Sequence, residues 1–345
     1  MSVEILANRR IPPAAPQMVW ISDQIASRIV TAGFAYETVM EAFLVHAAGD
    51  FVQPPKPFVR PGGTANEYER GYLVGMPAYA GGSFDALGAK LITGFPINLT
   101  RGIPRASGVI VLFDTTTGVP AAIVDCRTIS ARGAAATASI CVDCLGAKAG
   151  LRVAVLGAGP IAHETVISLF ITKSRPIDSV LIFDPVGDRA RAIVEAVSPF
   201  TDVPVQLAPS ARHCLAEANV VIAATTGAKA YVQPDWLNNS WLIIALSSDD
   251  FVPDIILSAD KLICDDFVQN GQEDMLFPRL VRSGAIGQER LYGELGQIVA
   301  GRIAGREGGE RIFVNPTGMA IQDLAIAARV CATEACRTGA RPLTC

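Results

Sequence analysis

The sequence predicts an α/β protein, a doubly wound parallel sheet inserted into an α+β domain. Three observations lead there. From residue 151 onward, short apolar runs alternate with helical patterns, which implies a parallel sheet covered on both faces. The first of these runs, LRVAVLGA, ends in the turn Gly157-Ala158-Gly159 and opens directly into a helical pattern. The last helical pattern carries an apolar face (Ile321, Leu324, Ala325, Ala328, Val330) that the sheet has no further place for, so it is expected to pack back on the N-terminal part.

The elements follow in order. Residues 20–50 read as one long amphipathic helix, with Ile25, Ile29, Val30, Phe34, Val39, Met40, Phe43 and Leu44 at helical spacing. Pro54, Pro55, Pro57, Pro61, Gly62 and Gly63 then break any helix. From Gly71 to Val124 the runs YLVGMPAY, AKLITGFP, SGVIVLFD and PAAIVDC are separated by glycine turns, which predicts an antiparallel meander. An Ala-rich helix from Thr128 to about Ala149 follows. LRVAVLGA, SVLIFD, PVQLA, NVVIAATT, WLIIALS and KLICDD read as the strands of the parallel sheet, with helices near 160–173, 187–198 and 210–218. A polar helix over about 272–301, the short strand RIFVN and the final helix complete the reading. The expected division is 1–130 plus 318–345 as one domain and 131–317 as the other.

The glycine turn points to a dinucleotide. Gly157 permits the tight turn, Gly159 lets backbone approach a pyrophosphate, and small Ala162 allows helix and strand to pack closely. Pro160 and Ile161 open the helix, whose free N–H groups and partial positive charge suit phosphates. SVLIFD ends in Asp184, 22 residues past Ala162, where an acid binds a ribose 2′-hydroxyl. This is a Rossmann-type arrangement. Asp184 favours NAD over NADP, because it repels a 2′-phosphate, although Arg189 and Arg191 act in the opposite sense. Thr225 and Thr226 close the fourth strand and are the remaining cofactor candidates.

Composition excludes other classes. The chain has 345 residues, half of them apolar, 18% charged, with net charge −4. No run is long enough to span a bilayer, and MSVEILANRRIPP lacks an apolar signal core. With no basic block, nucleic acid and anionic membranes are not expected partners. The apolar balance, a mean hydropathy of +0.35, suggests a large subunit interface. The eight cysteines are scattered; Cys141 and Cys144 read as small core-facing residues one helical turn apart, and no histidines complete a zinc site. His46, His163 and His213 fall in separate predicted helices and form no visible catalytic set, so no metal is expected.

The N-terminal part must then hold the substrate. Its cations stand at turns and strand ends: Lys56 and Arg60 in QPPKPFVR, Lys90 in GAKLITGFP, Arg105 in GIPRASG and Arg132 in TISARGAAAT. Several such groups on one pocket would suit a substrate with more than one carboxylate. At this point the chain resembles the ornithine cyclodeaminase/μ-crystallin family over nearly its whole length. The resemblance lies in the order GAKLITGFP, TISARGAAATAS, VLGAGPIA, ATT and AIQDLAIA. QPPKPFVR, MPAYAGG, GFPINLTRGIPRASGVIVL and NPTGMAIQDLA are similar to one branch, the N-(2-amino-2-carboxyethyl)-L-glutamate dehydrogenases of 2,3-diaminopropionate biosynthesis.

The resemblance implies a substrate and dimerisation domain made of both chain ends, a homodimer and a cytoplasmic enzyme. It implies carboxylate binding by Lys90 and Arg132, with Gln53, Lys56, Arg60 and Arg105 added by the branch pattern. It implies an acid near the reacting carbon at Asp249 or Asp250, in SSDDFVPD. The branch usually has arginine at the first of these, so this chain carries an acid where a substrate cation is expected. The implied reaction is NAD-dependent oxidative hydrolysis of a secondary amine bearing carboxylates, with Lys90 or an aspartate taking the amine proton. Cyclodeamination of ornithine or lysine, reduction of a ketimine, and ligand binding without catalysis are the alternatives.

Overall fold

A computed structural model describes residues 18–61, 71–148, 150–172, 175–227, 229–238, 241–247, 249–333, 336 and 339–343. The N-terminal stretch read for a signal, Gly62, Gly63, Ala149 and Cys345 lie outside the described residues.

Two eight-stranded sheets carry the fold. The first contains β1 (Val19–Ile21), β2 (Phe51–Val52), β3 (Phe58–Val59), β4 (Tyr72–Ala80), β5 (Ala86–Gly94), β6 (Ala106–Phe113), β7 (Pro120–Asp125) and β16 (Arg341–Pro342). Its order is β16-β1-β7-β6-β5-β4-β2, with β3 also paired to β4. The expected antiparallel meander is β4 to β7. The second sheet contains β8 (Leu151–Leu156), β9 (Ile177–Phe183), β10 (Val205–Leu207), β11 (Val220–Ala223), β12 (Leu242–Ala245), β13 (Lys261–Cys264), β14 (Leu291–Glu294) and β15 (Ile312–Asn315). Its order is β10-β9-β8-β11-β12-β15-β13-β14, and every pairing is parallel. The central strands β11, β12, β13 and β15 are buried at every residue, as a sheet covered on both faces requires.

The helices are α1 (Asp23–Ile29), α2 (Ala32–Ala48), α3 (Arg127–Leu145), α4 (Pro160–Thr172), α5 (Gly187–Val197), α6 (Ala211–Ala216), α7 (Pro253–Leu257), α8 (Phe267–Asn270), α9 (Leu276–Arg282), α10 (Leu295–Val299) and α11 (Ala320–Ala332). α2 and α3 pack on each other and on α4, and so connect the layers of the two sheets. As expected for the last helix, α11 returns to the first sheet, packing on β4, β5 and β6.

Three expectations change. The single helix over 20–50 is instead β1, α1 and α2. Thr31 breaks it by capping α2, its hydroxyl accepting from Phe34 N at 3.2 Å. The polar helix over 272–301 divides into α9, β14 and α10, because Gly284 takes a left-handed φ of 77° and Leu291–Glu294 add a strand beside β13. The Ala-rich helix ends at Leu145, four residues early, where Gly146 turns extended.

Candidate active site

The glycine turn leaves β8 at Gly157, whose φ of 95° favours glycine. A Cβ there would lie 2.7 Å from the carbonyl oxygen of Ala224, so the turn is pressed against the end of β11. At Gly159 an added Cβ would meet nothing within 4 Å. Gly157 is therefore small because protein lies against it, whereas Gly159 faces open space at the start of α4. Pro160 takes the first helical position, where no N–H is needed, and Ala162 is fully buried against the sheet. Asp184, just past β9, accepts from Ala158 N and Val186 N, each at 2.8 Å. A carboxylate has about four acceptor positions, so room remains for a hydroxyl. An open glycine surface, a helix N-terminus and an acid at the end of the adjacent strand are the set of groups a dinucleotide needs.

The next strand end supplies an acid. Asp250 is buried, and its carboxylate accepts from Thr225 Oγ1 at 2.6 Å, from Ser247 Oγ and from Tyr231. Burial pushes its carboxyl above the usual range, and the Ser247 and Thr225 hydroxyls only partly offset this. Thr225 also accepts from Gly227 N, which fixes the loop, while Thr226 is exposed. Asp249 is turned to a different task. Its Oδ1 accepts from Leu276 N at 2.7 Å and from Arg279 at 3.1 Å, which secures the start of α9. The neighbouring acids thus separate: Asp250 faces the hydroxyls beside the glycine turn, and Asp249 anchors a helix.

Four of the five predicted cations have acidic or aromatic company. Lys90 lies on the inner face of β5 between Met76 and Ile110, and its ammonium pairs with Asp323 on α11. Lys56 donates to the Thr317 carbonyl at 2.9 Å and pairs with Glu273 at 3.0 Å. Gln53 donates to Asp266 at 2.8 Å and accepts from Ile321 N at 3.5 Å. The structure thus gathers Gln53, Lys56 and Lys90 around the first turn of α11 and the residues before it. Arg132 lies elsewhere: its guanidinium donates to Glu164 at 3.0 Å and to the Ser27 and Val30 carbonyls at the α1–α2 junction. Those bonds use three of its five donors. Arg60 stacks over Phe58, 4.9 Å from the ring centroid. Arg105 has a buried Nε with no hydrogen-bond partner among the described residues.

A second polar joint was invisible in the sequence. His46 on α2 approaches Asp266 at 3.4 Å, and Glu294 lies beside them, the three ligand atoms within 4.8 Å of one another. Both carboxylates already serve backbone: Asp266 caps α8 at Gln269 N, and Glu294 accepts from Phe267 N at 2.9 Å. Burial pushes the Asp266 carboxyl up, but His46, Gln269 N and Gln53 outweigh it and hold it at about 2.

Comparison with known proteins follows the same lines. The ornithine cyclodeaminase/mu-crystallin family matches residues 16–336. The chain belongs to that family. Among curated relatives, it is 31% identical over 298 residues to the N-((2S)-2-amino-2-carboxyethyl)-L-glutamate dehydrogenase of Staphylococcus aureus, covering 84% of this chain and 87% of that one. It is 28% identical to the alanine dehydrogenase of Archaeoglobus fulgidus, covering 89% and 92%. Among solved structures, an archaeal alanine dehydrogenase dimer with bound NAD superposes with a TM-score of 0.83 at 24% identity, over 95% of this chain and 99% of that one. That likeness concerns the fold.

Asp323, Glu273, Asp266, Ser247 and Tyr231 escaped the sequence reading. Asp323 had a signal, since it is the only ionisable residue of the motif NPTGMAIQDLA. Ser247 stands only three residues before Asp250 in the same loop, whereas Glu273, Asp266 and Tyr231 are partners whose meeting depends on tertiary structure.

Proposed function

We propose that this protein is an NAD-dependent oxidoreductase acting on the Cα–N bond of an amino acid, and that it oxidatively hydrolyses N-(2-amino-2-carboxyethyl)-L-glutamate. The glycine surface at Gly157 and Gly159, the α4 N-terminus and Asp184 hold the cofactor. Bound there, NAD supplies the acceptor for the hydride that leaves the glutamate-derived Cα. Asp250 takes the proton of the secondary amine as the C=N bond forms. Before that transfer its buried carboxylate, still anionic, holds the substrate nitrogen in place. Lys90 holds a substrate carboxylate, with the Gln53–Lys56 segment shaping the same pocket. Water then adds to the imine and the C–N bond breaks. Overall, secondary amine, NAD and water become 2-oxoglutarate, 2,3-diaminopropionate, NADH and a proton.

The observation that carries this reading is the bond from Thr225 to Asp250, which joins a buried acid to the strand end beside the glycine turn. The 31% identity to the Staphylococcus aureus enzyme supports the choice of substrate. The test is incubation of the purified protein with N-(2-amino-2-carboxyethyl)-L-glutamate and NAD. NADH should accumulate in equal amount with 2-oxoglutarate. Conversion of ornithine to proline and ammonia without net NADH, and no turnover of the conjugate, would overturn it.

The working form is a homodimer built on the outer face of the first sheet. That face presents Leu73, Leu87 and Leu91 to solvent, with Val109, Val111, Phe113 and Ile123 as cross-strand neighbours. An apolar face of this kind is expected to be covered by a second copy. The protein works in the cytoplasm, a setting that suits seven described cysteines that are all free. Among the described residues no helix is long and apolar enough to cross a membrane.

A further inference from the structure

The motif NPTGMAIQDLA contains residues that neither the cofactor site nor the Asp250 cluster uses. Most of it is mechanical. Asn315 donates to the Ala245 carbonyl, Gly318 N bonds to Asp265, and Gln322 caps its own helix at Met319 N. Asp323 stands apart, because its side chain leaves the helix to meet Lys90 across the inner face of the first sheet.

That position is otherwise apolar. Lys90 is flanked by Met76 and Ile110, and Ile321, Leu324 and Ala325 around Asp323 are fully buried. Lys90 and Asp323 are each only 6% exposed. A buried ion pair is weak evidence of stabilisation, since a well-packed apolar pair of similar volume serves a core as well or better. Its retention here asks for another account. An ammonium has three N–H donors, and among the described residues the only partner of Lys90 is Asp323. Two donors are therefore left on a lysine that is almost completely buried. Unsatisfied donors in such a place await an acceptor. The pair also lies close to the N-cap of α3: burial pushes the Cys126 thiol up to about 12, with Lys90 pulling it down and Asp323 pushing it up.

We propose that Asp323 is a positioning residue for substrate binding. Its carboxylate anchors the Lys90 ammonium so that the two remaining donors are directed at one carboxylate of the amino-acid substrate. The ammonium is then already desolvated, already neutralised and fixed in direction before the substrate arrives. This inference rests on the proposed role of Lys90, and the experiment separates the two.

Wild type, Asp323→Asn, Asp323→Glu, Lys90→Met and the double variant Asp323→Asn/Lys90→Met are compared with N-(2-amino-2-carboxyethyl)-L-glutamate and NAD. NADH formation gives kcat and KM, and fluorescence titration gives NAD affinity. Asp323→Asn should lower kcat/KM about 100-fold, mostly through KM, with NAD affinity unchanged. Asp323→Glu, which keeps the charge, should recover to within about tenfold of wild type. The double variant should be no worse than Lys90→Met alone, because both changes remove one interaction. Additive losses, or an Asp323→Asn enzyme within about threefold of wild type, would overturn the inference while leaving Lys90 in its role. An unimpaired Lys90→Met enzyme would overturn the role of Lys90 and the inference with it. Should Asp323→Asn not fold, the smaller uncharged Asp323→Ser replaces it: a folded, NAD-binding protein with Lys90 intact whose KM rises while kcat is largely kept supports the inference, and one within about threefold of wild type overturns it.

Discussion

Asp250 and Asp249 show how far adjacent identical residues can diverge. Asp249 gives its carboxylate to Leu276 N and Arg279, whereas Asp250 collects hydroxyl donors from Thr225, Ser247 and Tyr231. Burial raises the Asp250 carboxyl toward the pH at which a general base works best. As a base it must be ionised, so kcat should rise with pH through its raised value and level off above it. Asp250→Asn should lower kcat by roughly 100-fold to 10,000-fold and remove that limb from the pH profile, with NAD binding retained. A variant with wild-type kcat would assign the base elsewhere. The sequence pointed to this pair, but their separate tasks depend on α9 and on a loop whose positions no local pattern encodes. Lys90 was legible because a cation in an apolar strand stands out; Asp323, though the only ionisable residue of its motif, was not tied to Lys90, because the two lie 233 residues apart.

At the scale of elements, side chains and chain connectivity both tie the sheets together. α2 meets α8 through His46 and Asp266, 220 residues apart, and Gln53 joins the same carboxylate from beside β2. Asp266 is held at about 2, below its unfolded value near 3.8. A depressed carboxyl contributes stability that is present above the unfolded value and lost as pH falls through the folded one. The joint should therefore weaken between about pH 4 and pH 2, by roughly 2 kcal/mol. Asp250 and Asp265, whose carboxyls burial raises, act in the opposite sense and favour the fold at low pH. Urea unfolding of Asp266→Asn should show a protein less stable than wild type at neutral pH, with the difference closing near pH 2. A constant difference across that range would remove His46–Asp266 from the account. The strands and the glycine turn were legible because periodicity and glycine are local signals. The break at Thr31 and the strand β14 were not, since one rests on a cap and the other on a neighbour, β13, that supplies its pairing.

For the whole molecule, the parallel sheet, the meander and the returning last helix could all be read from the order of patterns. The layering could not, because α2, α3 and α4 form a stack between elements far apart in sequence. The association state belongs to this scale. Leu87 and Leu91 are 38% and 42% exposed on a face whose opposite side is fully packed. Leu87→Glu/Leu91→Glu should shift the protein from dimer to monomer in light scattering after size-exclusion chromatography. A wild-type monomer, or a variant that remains dimeric, would place the interface elsewhere.

The first sheet carries one more consequence. β16 lies antiparallel to β1, with Val19 opposite Pro342 and Trp20 opposite Arg341. Residues from nearly opposite ends of the described chain are therefore neighbours in one ladder, so the path is close to a ring. A short linker from Leu343 to Met18 would close it, and the exposed turn at 115–118 between β6 and β7 offers a place to open it again. In such a permuted chain every strand would keep its neighbours, and β16 would run directly into β1 and the strands up to β6, since the order in which this protein is written is only one of the ways to cut the same circle.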